Sequence, residues 1–285
     1  MPLADKRFRE RFEAPIVRDN DEKTLANLRM MVAPFVLRRL KRDVLADLPE
    51  KVETVLRSEM TDEQRRQYAA AASRLLGDAD EQLATAQGRM RILAGLTRLR
   101  QLCCDPRLCL EEYAGGSGKL EQCVELAADA KASGHRMLLF SQFTSMLELI
   151  RAAMEEQGLQ TLTLTGETEK LERQRLCDAF NAGEGDVFLI SLKAGGTGLN
   201  LTGADTVIHY DPWWNTAAQN QATDRAYRIG QTRGVQVFRL IAADSIEERI
   251  LRLQEEKHAL GEGVLETGEG LSALDADALK KLLKA

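Results

Sequence analysis

The sequence predicts an α/β fold in which a parallel sheet is covered by helices on both faces and preceded by an α-helical region. From about Lys119 to Leu260, short apolar segments such as RMLLFS and DVFLIS alternate with amphipathic helical segments. The connections are short, and helical crossovers of this kind join parallel strands. From Thr61 to about Cys104 the periodicity is helical throughout, and Pro106 ends this helical stretch.

The elements follow one another in a regular order. The segment KVETVLRSEM alternates as a half-buried strand does, and Thr61 or Asp62 can cap the helix after it. The glycine-rich AGGSG then leads into a helix that ends at Gly134. The remaining predicted strands are RMLLFS, QTLTLT, DVFLIS, DTVIHYD and VQVFRLIA, and helices lie between them, including one over about residues 216–229 and one from Ser245.

Composition limits the classes of function. Of the 285 residues 44% are hydrophobic, which is enough for a packed core. The net charge of −5 gives no global attraction to nucleic acid, so a DNA contact would need local basic surfaces. One such cluster, RRLKRDV at Arg38–Val44, could contact a phosphate backbone or could be a solvated helix face. No apolar stretch approaches the ~18 residues that span a bilayer, so we expect a soluble intracellular protein.

The cysteines and histidines do not predict a metal site. The five cysteines are an odd number without paired CxxC spacing, so we predict buried free thiols rather than a disulfide framework or a zinc site. The three histidines are scattered without ligand partners at metal spacing, and we interpret them as structural.

The segment YAGGSGKLEQ, Tyr113–Gln122, places a Gly-Lys pair after a glycine-rich turn, as a phosphate-binding loop does. That loop has the sequence GxxxxGK[ST] between a strand and a helix. Here Tyr113 stands at the first glycine position, Leu120 replaces the hydroxyl residue, and helix and turn precede the glycines. No other segment matches, and no Asp-Glu pair closes an apolar strand. We therefore predict a helix start capped by Ser117.

Two arginines near the end of the α/β region have the spacing of an anion-binding pair. Arg225 and Arg228 in NQATDRAYRIGQTR are three residues apart on a predicted helix, so both guanidinium groups can leave one face. They could bind a phosphate, although taken alone they could be two surface arginines. The earlier segment SLKAGGTGLN places glycines directly after a strand, where open α/β sheets bind ligands.

The order of these blocks resembles the C-terminal part of a Swi/Snf-family ATP-dependent DNA translocase, within helicase superfamily two. The resemblance covers nearly the whole chain, and the compact motif spacing favours a bacterial member. The segments LLFSQF, SLKAGGTGLN with HYDPWWN, and NQATDRAYRIGQTR resemble helicase motifs IV, V and VI. Further matching blocks are FVLRRLKRDVLADLPEK, TDEQRRQYAA, LTRLRQLCCDPRL, SGKLEQCVEL, LTGETEKLERQRLCDAF and SIEERILRLQEEK.

The resemblance implies a RecA-like, P-loop NTPase-type fold and four regions. Residues 1–60 would be the end of a first lobe and a linker, and residues 61–112 a helical insertion region. Residues 113–260 would be the second RecA-like lobe, the helicase C-terminal domain, and residues 261–285 a tail with a short helix. The opening MPLADKRFRERFEAPI resembles mid-protein sequence of the family, so we expect a longer natural protein.

The resemblance also implies roles for individual residues. Arg225 and Arg228 would be arginine fingers that reach the γ-phosphate of ATP, which the first lobe would hold together with Mg²⁺. Further nucleotide contacts would be Gln221, Asp224, Gly196, Thr197 and Gly198. Contacts to one backbone strand of the DNA would be Ser141, Gln142, Thr165, Lys193 and Gly195.

The implied function is that of the second motor lobe of a double-stranded DNA translocase, acting with the first lobe of the same protein. The chain alone is then expected not to hydrolyse ATP. Three departures from the family pattern, at Thr216, Ala218 and Gln219, remove no proposed ligand. Two alternatives stay open, namely a DNA- or protein-binding module without catalysis and a lobe of a translocase associated with RNA polymerase. We expect a cytoplasmic location on the bacterial nucleoid, or a nuclear one in a eukaryote.

Overall fold

The computed structural model describes residues 8–13, 15–16, 21–32, 34, 49–77, 85–195, 198–214 and 216–259. The chain divides into two compact units, Met1–Asp47 and Leu48–Ala285. The described part of the first unit contains a short π-helix, Arg9–Glu13, and helix α1, Glu22–Val32. The basic cluster at residues 38–44 and the predicted tail at 261–285 lie outside the described residues.

The second unit is built on a six-stranded sheet in which every pair of neighbouring strands is parallel. The strand order is β1-β6-β5-β2-β4-β3, and β2, β4 and β5 are buried along their whole length. The predicted α/β fold with a parallel sheet covered on both faces is thereby confirmed. The strands are β1 (Lys51–Ser58), β2 (Met137–Ser141), β3 (Thr161–Leu164), β4 (Val187–Ser191), β5 (Thr206–His209) and β6 (Val235–Ala242).

Helices cover the sheet on both sides. Besides a single helical turn at Leu192–Gly195 and a short 3-10 helix at Pro106–Leu108, the described helices of this unit are α2 (Asp62–Gly77), α3 (Ala86–Cys104), α4 (Gly118–Ala132), α5 (Thr144–Glu156), α6 (Lys170–Asn181), α7 (Thr216–Thr223) and α8 (Ile246–Ala259). Met137 and Leu139 of β2 pack with α4 and α5, whereas Leu138 and Phe140 pack with α6 and α7. This alternation is the two-residue period of a strand that is buried on both faces.

Strand β1 joins the sheet from a distant part of the sequence. It pairs with β6 along its full length, from Lys51 opposite Val235 to Ser58 opposite Ala242. The sheet therefore begins before the predicted helical insertion region, within the range 1–60 that the resemblance assigned to the preceding lobe and linker. Helices α2 and α3 follow β1 and pack against α8 through a cluster that contains Ile92 and Ile250.

The prediction of one helix over residues 216–229 is wrong in its second half. Helix α7 ends at Thr223, and residues 224–230 form a series of turns. The backbone of this segment hydrogen-bonds outside itself, because the carbonyl oxygen of Arg225 accepts the N–H of Leu201 at 3.0 Å. Gly230 has φ = +100°, a left-handed conformation that glycine adopts without steric cost. Tertiary hydrogen bonds and this turn replace the helix that the spacing predicts.

The cysteines of the described part of the chain are free thiols. Cys103, Cys104, Cys123 and Cys177 are buried free thiols, and Cys109 is half-buried. Within the residue ranges that the structure describes, no helix has both the length and the apolar character needed to cross a membrane.

Candidate nucleotide and nucleic-acid site

The glycine-rich segment before α4 is a helix start. Ser117 is the N-cap, and its hydroxyl oxygen accepts the N–H of Leu120 at 3.4 Å and donates to the carbonyl of Cys104 at 2.8 Å. A Cβ at Gly118 would lie 1.9 Å from the carbonyl oxygen of Glu59, so only glycine fits where the two chain segments cross. The cap agrees with the sequence-based prediction.

Lys119, the residue that would bind phosphate in a phosphate loop, points into the interior. Its side chain is 1% exposed and its Nζ donates to the carboxylate of Glu247 at the start of α8. The ammonium also lies 5.5 Å from the centre of the Tyr210 ring. Because its charge is paired inside the core, Lys119 holds α4 to α8 and is not presented to a ligand.

Arg225 and Arg228 lie in the turns after α7. Arg225 is 6% exposed, whereas Arg228 is exposed and its Nη1 donates to the carbonyl of Leu199 at 3.4 Å. Burial lowers the pKa of Arg225, and the neighbouring charge of Arg228 lowers it further. The charges of the two arginines therefore act on each other, and two neighbouring guanidinium groups are suited to binding an anion.

The arginine segment packs on the loop that follows the glycine turn. The Arg225 carbonyl and the Arg228 side chain contact Leu201 and Leu199, respectively. Gly198, one of the predicted nucleotide contacts, has φ = +53° and begins this described part of the loop. The fold therefore brings the segments that resemble motifs V and VI together, although 24 residues separate Leu201 from Arg225 in the sequence.

The other predicted nucleotide contacts are distributed around this pair. Gln221 is exposed on α7, and Asp224 is half-buried at the first turn after it. The Asp224 carboxylate acts on the pKa of Arg225 in the direction opposite to Arg228. Gly196 and Thr197 lie outside the described residues, so their predicted roles stay predictions.

The predicted DNA contacts follow the carboxyl ends of neighbouring strands. Ser141 ends β2 and Gln142 follows it, Thr165 follows β3, and Lys193 and Gly195 lie on the helical turn after β4. Thr165 is held in a local turn, because its N–H donates to the Thr168 hydroxyl at 3.0 Å. These positions share one edge of the sheet, which is where open parallel sheets bind ligands.

Asp211 is a site residue that sequence reasoning missed. Its carboxylate accepts the Ser141 hydroxyl at 2.6 Å and the Gln142 N–H at 3.2 Å through Oδ1, and the Gln142 side-chain amide through Oδ2. Ser141 is fully buried, so its hydroxyl acts on Asp211 and not on the surface, while Gln142 is half-buried. The sequence signal was present in HYDPWWN, where an aspartate directly follows a strand.

His209, at the end of β5, is a buried histidine that contacts the end of α7. It is 1% exposed, its ring stacks on Phe140 with centroids 5.7 Å apart, and its Nε2 lies 2.9 Å from the hydroxyl of Thr223. Burial, assisted by the charge of Arg239, lowers the pKa of His209 from 6.5 to about 3. The end of α7 therefore rests on a side chain that is costly to protonate.

We expect this histidine to make the folded unit sensitive to mild acid. The unfolded chain takes up a proton at His209 near pH 6.5 and the folded chain only near pH 3, so the unfolded state binds more protons between these values. The free energy of unfolding should therefore fall as the pH falls through this window, by up to about 1.4 kcal/mol per pH unit. The free energy of unfolding is measured by urea unfolding of the wild type and His209→Gln at a series of pH values. The contributions of the carboxylates are common to both proteins and cancel in the difference between them. Identical pH dependences would contradict a buried neutral His209.

The chain is similar to known helicase domains in both sequence and fold. A sequence profile described as "Helicase conserved C-terminal domain" matches residues 118–230, and one described as "SNF2-related domain" matches residues 4–108. The first match and the all-parallel sheet place a helicase conserved C-terminal domain over residues 118–230. A solved structure, the Sulfolobus solfataricus SWI2/SNF2 ATPase C-terminal domain, is 30% identical with a TM-score of 0.67 and covers 82% of this chain and 99% of that chain. The chain belongs to the SWI2/SNF2 family, which confirms the resemblance inferred from the motifs.

Two longer relatives extend the comparison. The Sulfolobus solfataricus SWI2/SNF2 ATPase core in complex with dsDNA is 32% identical with a TM-score of 0.70, and the match covers 97% of this chain and 59% of that one. A Bacillus subtilis (strain 168) protein, YwqA, carries the name of an ATP-dependent helicase/translocase and is 39% identical over 286 residues. That match covers 96% of this chain but 31% of YwqA, so the chain spans about a third of this curated relative.

Proposed function

We propose that this chain is the second motor lobe of an ATP-dependent translocase that moves along double-stranded DNA. In this proposal Arg225 and Arg228 complete an ATP site whose other half, with Mg²⁺, belongs to a first lobe. Gln142, Thr165, Lys193 and Gly195 contact one backbone strand, and Ser141 holds Asp211 in place. Working on DNA places the protein on the chromosome, which is the nucleoid of a bacterium or the nucleus of a eukaryote.

The proposal is supported by the two neighbouring arginines, Arg225 and Arg228, which pack on the loop of Leu199 and Leu201. The charge of Arg228 lowers the pKa of Arg225 and the Asp224 carboxylate opposes that shift, so the two guanidinium groups act on each other beside one carboxylate. The pair stands beside the loop of Gly198 and follows directly after α7. Guanidinium groups bind phosphate oxygens through paired hydrogen bonds, and an arginine at the γ-phosphate stabilises the charge that develops during transfer.

The proposed function is tested by joining this chain to the first lobe of the Sulfolobus SWI2/SNF2 ATPase core. We expect the fusion to hydrolyse ATP and a short DNA duplex to stimulate that hydrolysis, because both halves of the cleft are then present. Phosphate release is measured for the fusion, the isolated chain and the isolated first lobe, each with and without duplex. The two isolated lobes are expected to be inactive.

Two outcomes would overturn this function. Turnover of ATP by the isolated chain at the rate of the fusion would mean that the chain contains a complete nucleotide site. A fusion that binds duplex but never hydrolyses ATP would favour the alternative of a binding module without catalysis. The stability of the fusion is checked by thermal unfolding in both cases.

A further inference from the structure

Arg100 on helix α3 is a fully buried arginine that the motifs do not explain. It is 1% exposed, and burial of a guanidinium group is costly unless its partners compensate the loss of water. Its Nη2 donates to the carbonyl of Pro212 at 2.7 Å and lies 3.6 Å from Oδ2 of Asp211. The guanidinium carbon is 5.1 Å from the ring centre of Trp214 and 5.8 Å from that of Phe143.

These partners belong to two different loops at the same edge of the sheet. Phe143 directly follows Gln142 after β2, while Asp211, Pro212 and Trp214 follow β5 and lead into α7. The Asp211 carboxylate joins the two loops through Ser141 and Gln142. Through Arg100, helix α3, which precedes the alternating α/β region, therefore contacts both loops.

Electrostatics supports a specific pairing at this point. Burial raises the pKa of Asp211, and the charge of Arg100 opposes that rise, so the arginine favours the ionised form of the carboxylate. An ionised carboxylate can accept all three hydrogen bonds from Ser141 and Gln142, whereas a protonated one loses acceptor capacity. A lysine could supply the charge but not a planar group that contacts the Phe143 and Trp214 rings while it donates to a carbonyl.

We propose that Arg100 is a positioning residue that holds the Gln142 loop and the chain leading into α7 in the arrangement in which they contact DNA. It acts through Asp211 and the Pro212 carbonyl and touches neither DNA nor nucleotide. The inference rests on the proposed function, because Gln142 is a DNA contact only within that proposal.

The first test requires no activity. Amide hydrogen exchange of the isolated chain is compared for wild type, Arg100→Lys and Arg100→Met, with Arg98→Lys, an exposed position on the same helix, as the matched control. We expect amide exchange at residues 141–143, 211, 213 and 214 to accelerate about tenfold in the Arg100 variants while the amides of β4 keep wild-type protection. Unchanged exchange at residues 141–143 overturns the inference, as does uniform acceleration across the unit. Arg100→Lys retains the charge and serves as the readout if Arg100→Met does not fold.

The second test uses the two-lobed fusion and separates positioning from general stability. We expect Arg100→Lys to raise the duplex concentration that gives half-maximal ATP hydrolysis about tenfold, with a smaller change in kcat at saturating duplex. A lower melting temperature with an unchanged half-saturating duplex concentration would assign Arg100 a purely structural role and overturn the inference. If the wild-type fusion neither binds duplex nor hydrolyses ATP, the proposed function fails, while the exchange experiment still decides whether Arg100 holds the two loops.

Discussion

Replacing Arg225 or Arg228 by alanine in the two-lobed fusion is expected to reduce DNA-stimulated ATP hydrolysis by a factor of about 10³ or more. The reason is that a guanidinium group placed at the transferring phosphoryl group stabilises charge that develops only in the transition state. The loss should therefore appear mainly in kcat, with ATP and duplex binding weakened much less. Steady-state phosphate release at saturating ATP and duplex measures the first quantity, and equilibrium titrations with labelled ATP and duplex measure the others.

Arg233→Ala is the matched control for both arginines. It removes an exposed arginine five residues after Arg228 whose Nη1 contacts Asp205 at 3.2 Å, near the amino ends of the strands. We expect this variant to hydrolyse ATP at nearly the wild-type rate. Arg225→Lys and Arg228→Lys should stay strongly impaired, because an ammonium cannot reproduce the paired hydrogen bonds of a guanidinium. Near-normal turnover by Arg225→Ala and Arg228→Ala would show that neither residue acts as an arginine finger.

The sequence predicts the architecture of the sheet well because the relevant signal is local. Segments such as RMLLFS and DVFLIS are short, apolar and separated by amphipathic helices, and each became a strand buried on both faces. Strand β1 was recognised by its alternation, but its partner was not, since β6 lies more than 170 residues further along the chain. Pairing between distant strands depends on tertiary packing, which local periodicity does not encode.

The sequence predicted some residues of the candidate site and missed others, because it reports local patterns and not tertiary contacts. The segments around Gly198 and Arg225 were located by the glycines after a strand, by the spacing of the arginines and by their resemblance to family motifs, and the fold brings them into contact. The helix predicted to carry Arg225 and Arg228 ends at Thr223. Beyond it, the Arg225 carbonyl accepts the N–H of Leu201, which lies outside the segment. Arg100 gave no signal at all, since a basic residue in a helical pattern is normally solvated and its partner Pro212 is 112 residues away.

Lys119 follows a glycine-rich turn as a phosphate-binding lysine does, but in the structure it forms a buried ion pair with Glu247. The ammonium group and the Glu247 carboxylate are both almost completely buried, and the Glu247 carboxylate also accepts the N–H of Ala242 at 2.8 Å. Burial raises the pKa of Glu247, and the charge of Lys119 opposes that rise. Each charge is therefore tolerable in the core only while its partner is present.

Lys119→Met is accordingly expected to lower the free energy of unfolding by about 3–5 kcal/mol, because it leaves the Glu247 carboxylate buried without a counter-charge. The folded-state pKa of Glu247 already lies above its unfolded value and rises further without the lysine, so the loss should be smallest in acid and grow as the pH rises through that pKa. Urea unfolding of the chain, followed by circular dichroism, measures the difference at each pH.

The double variant Lys119→Met with Glu247→Gln separates the unpaired charge from the lost packing. It should recover much of the stability of the single variant at neutral pH, since no uncompensated charge remains in the core. Lys131→Met, which removes a partly exposed lysine from the end of the same helix, should cost no more than about 1 kcal/mol. If Lys119→Met were as stable as Lys131→Met, the interior pairing would be wrong, and the glycine-rich segment would again be a candidate for binding phosphate.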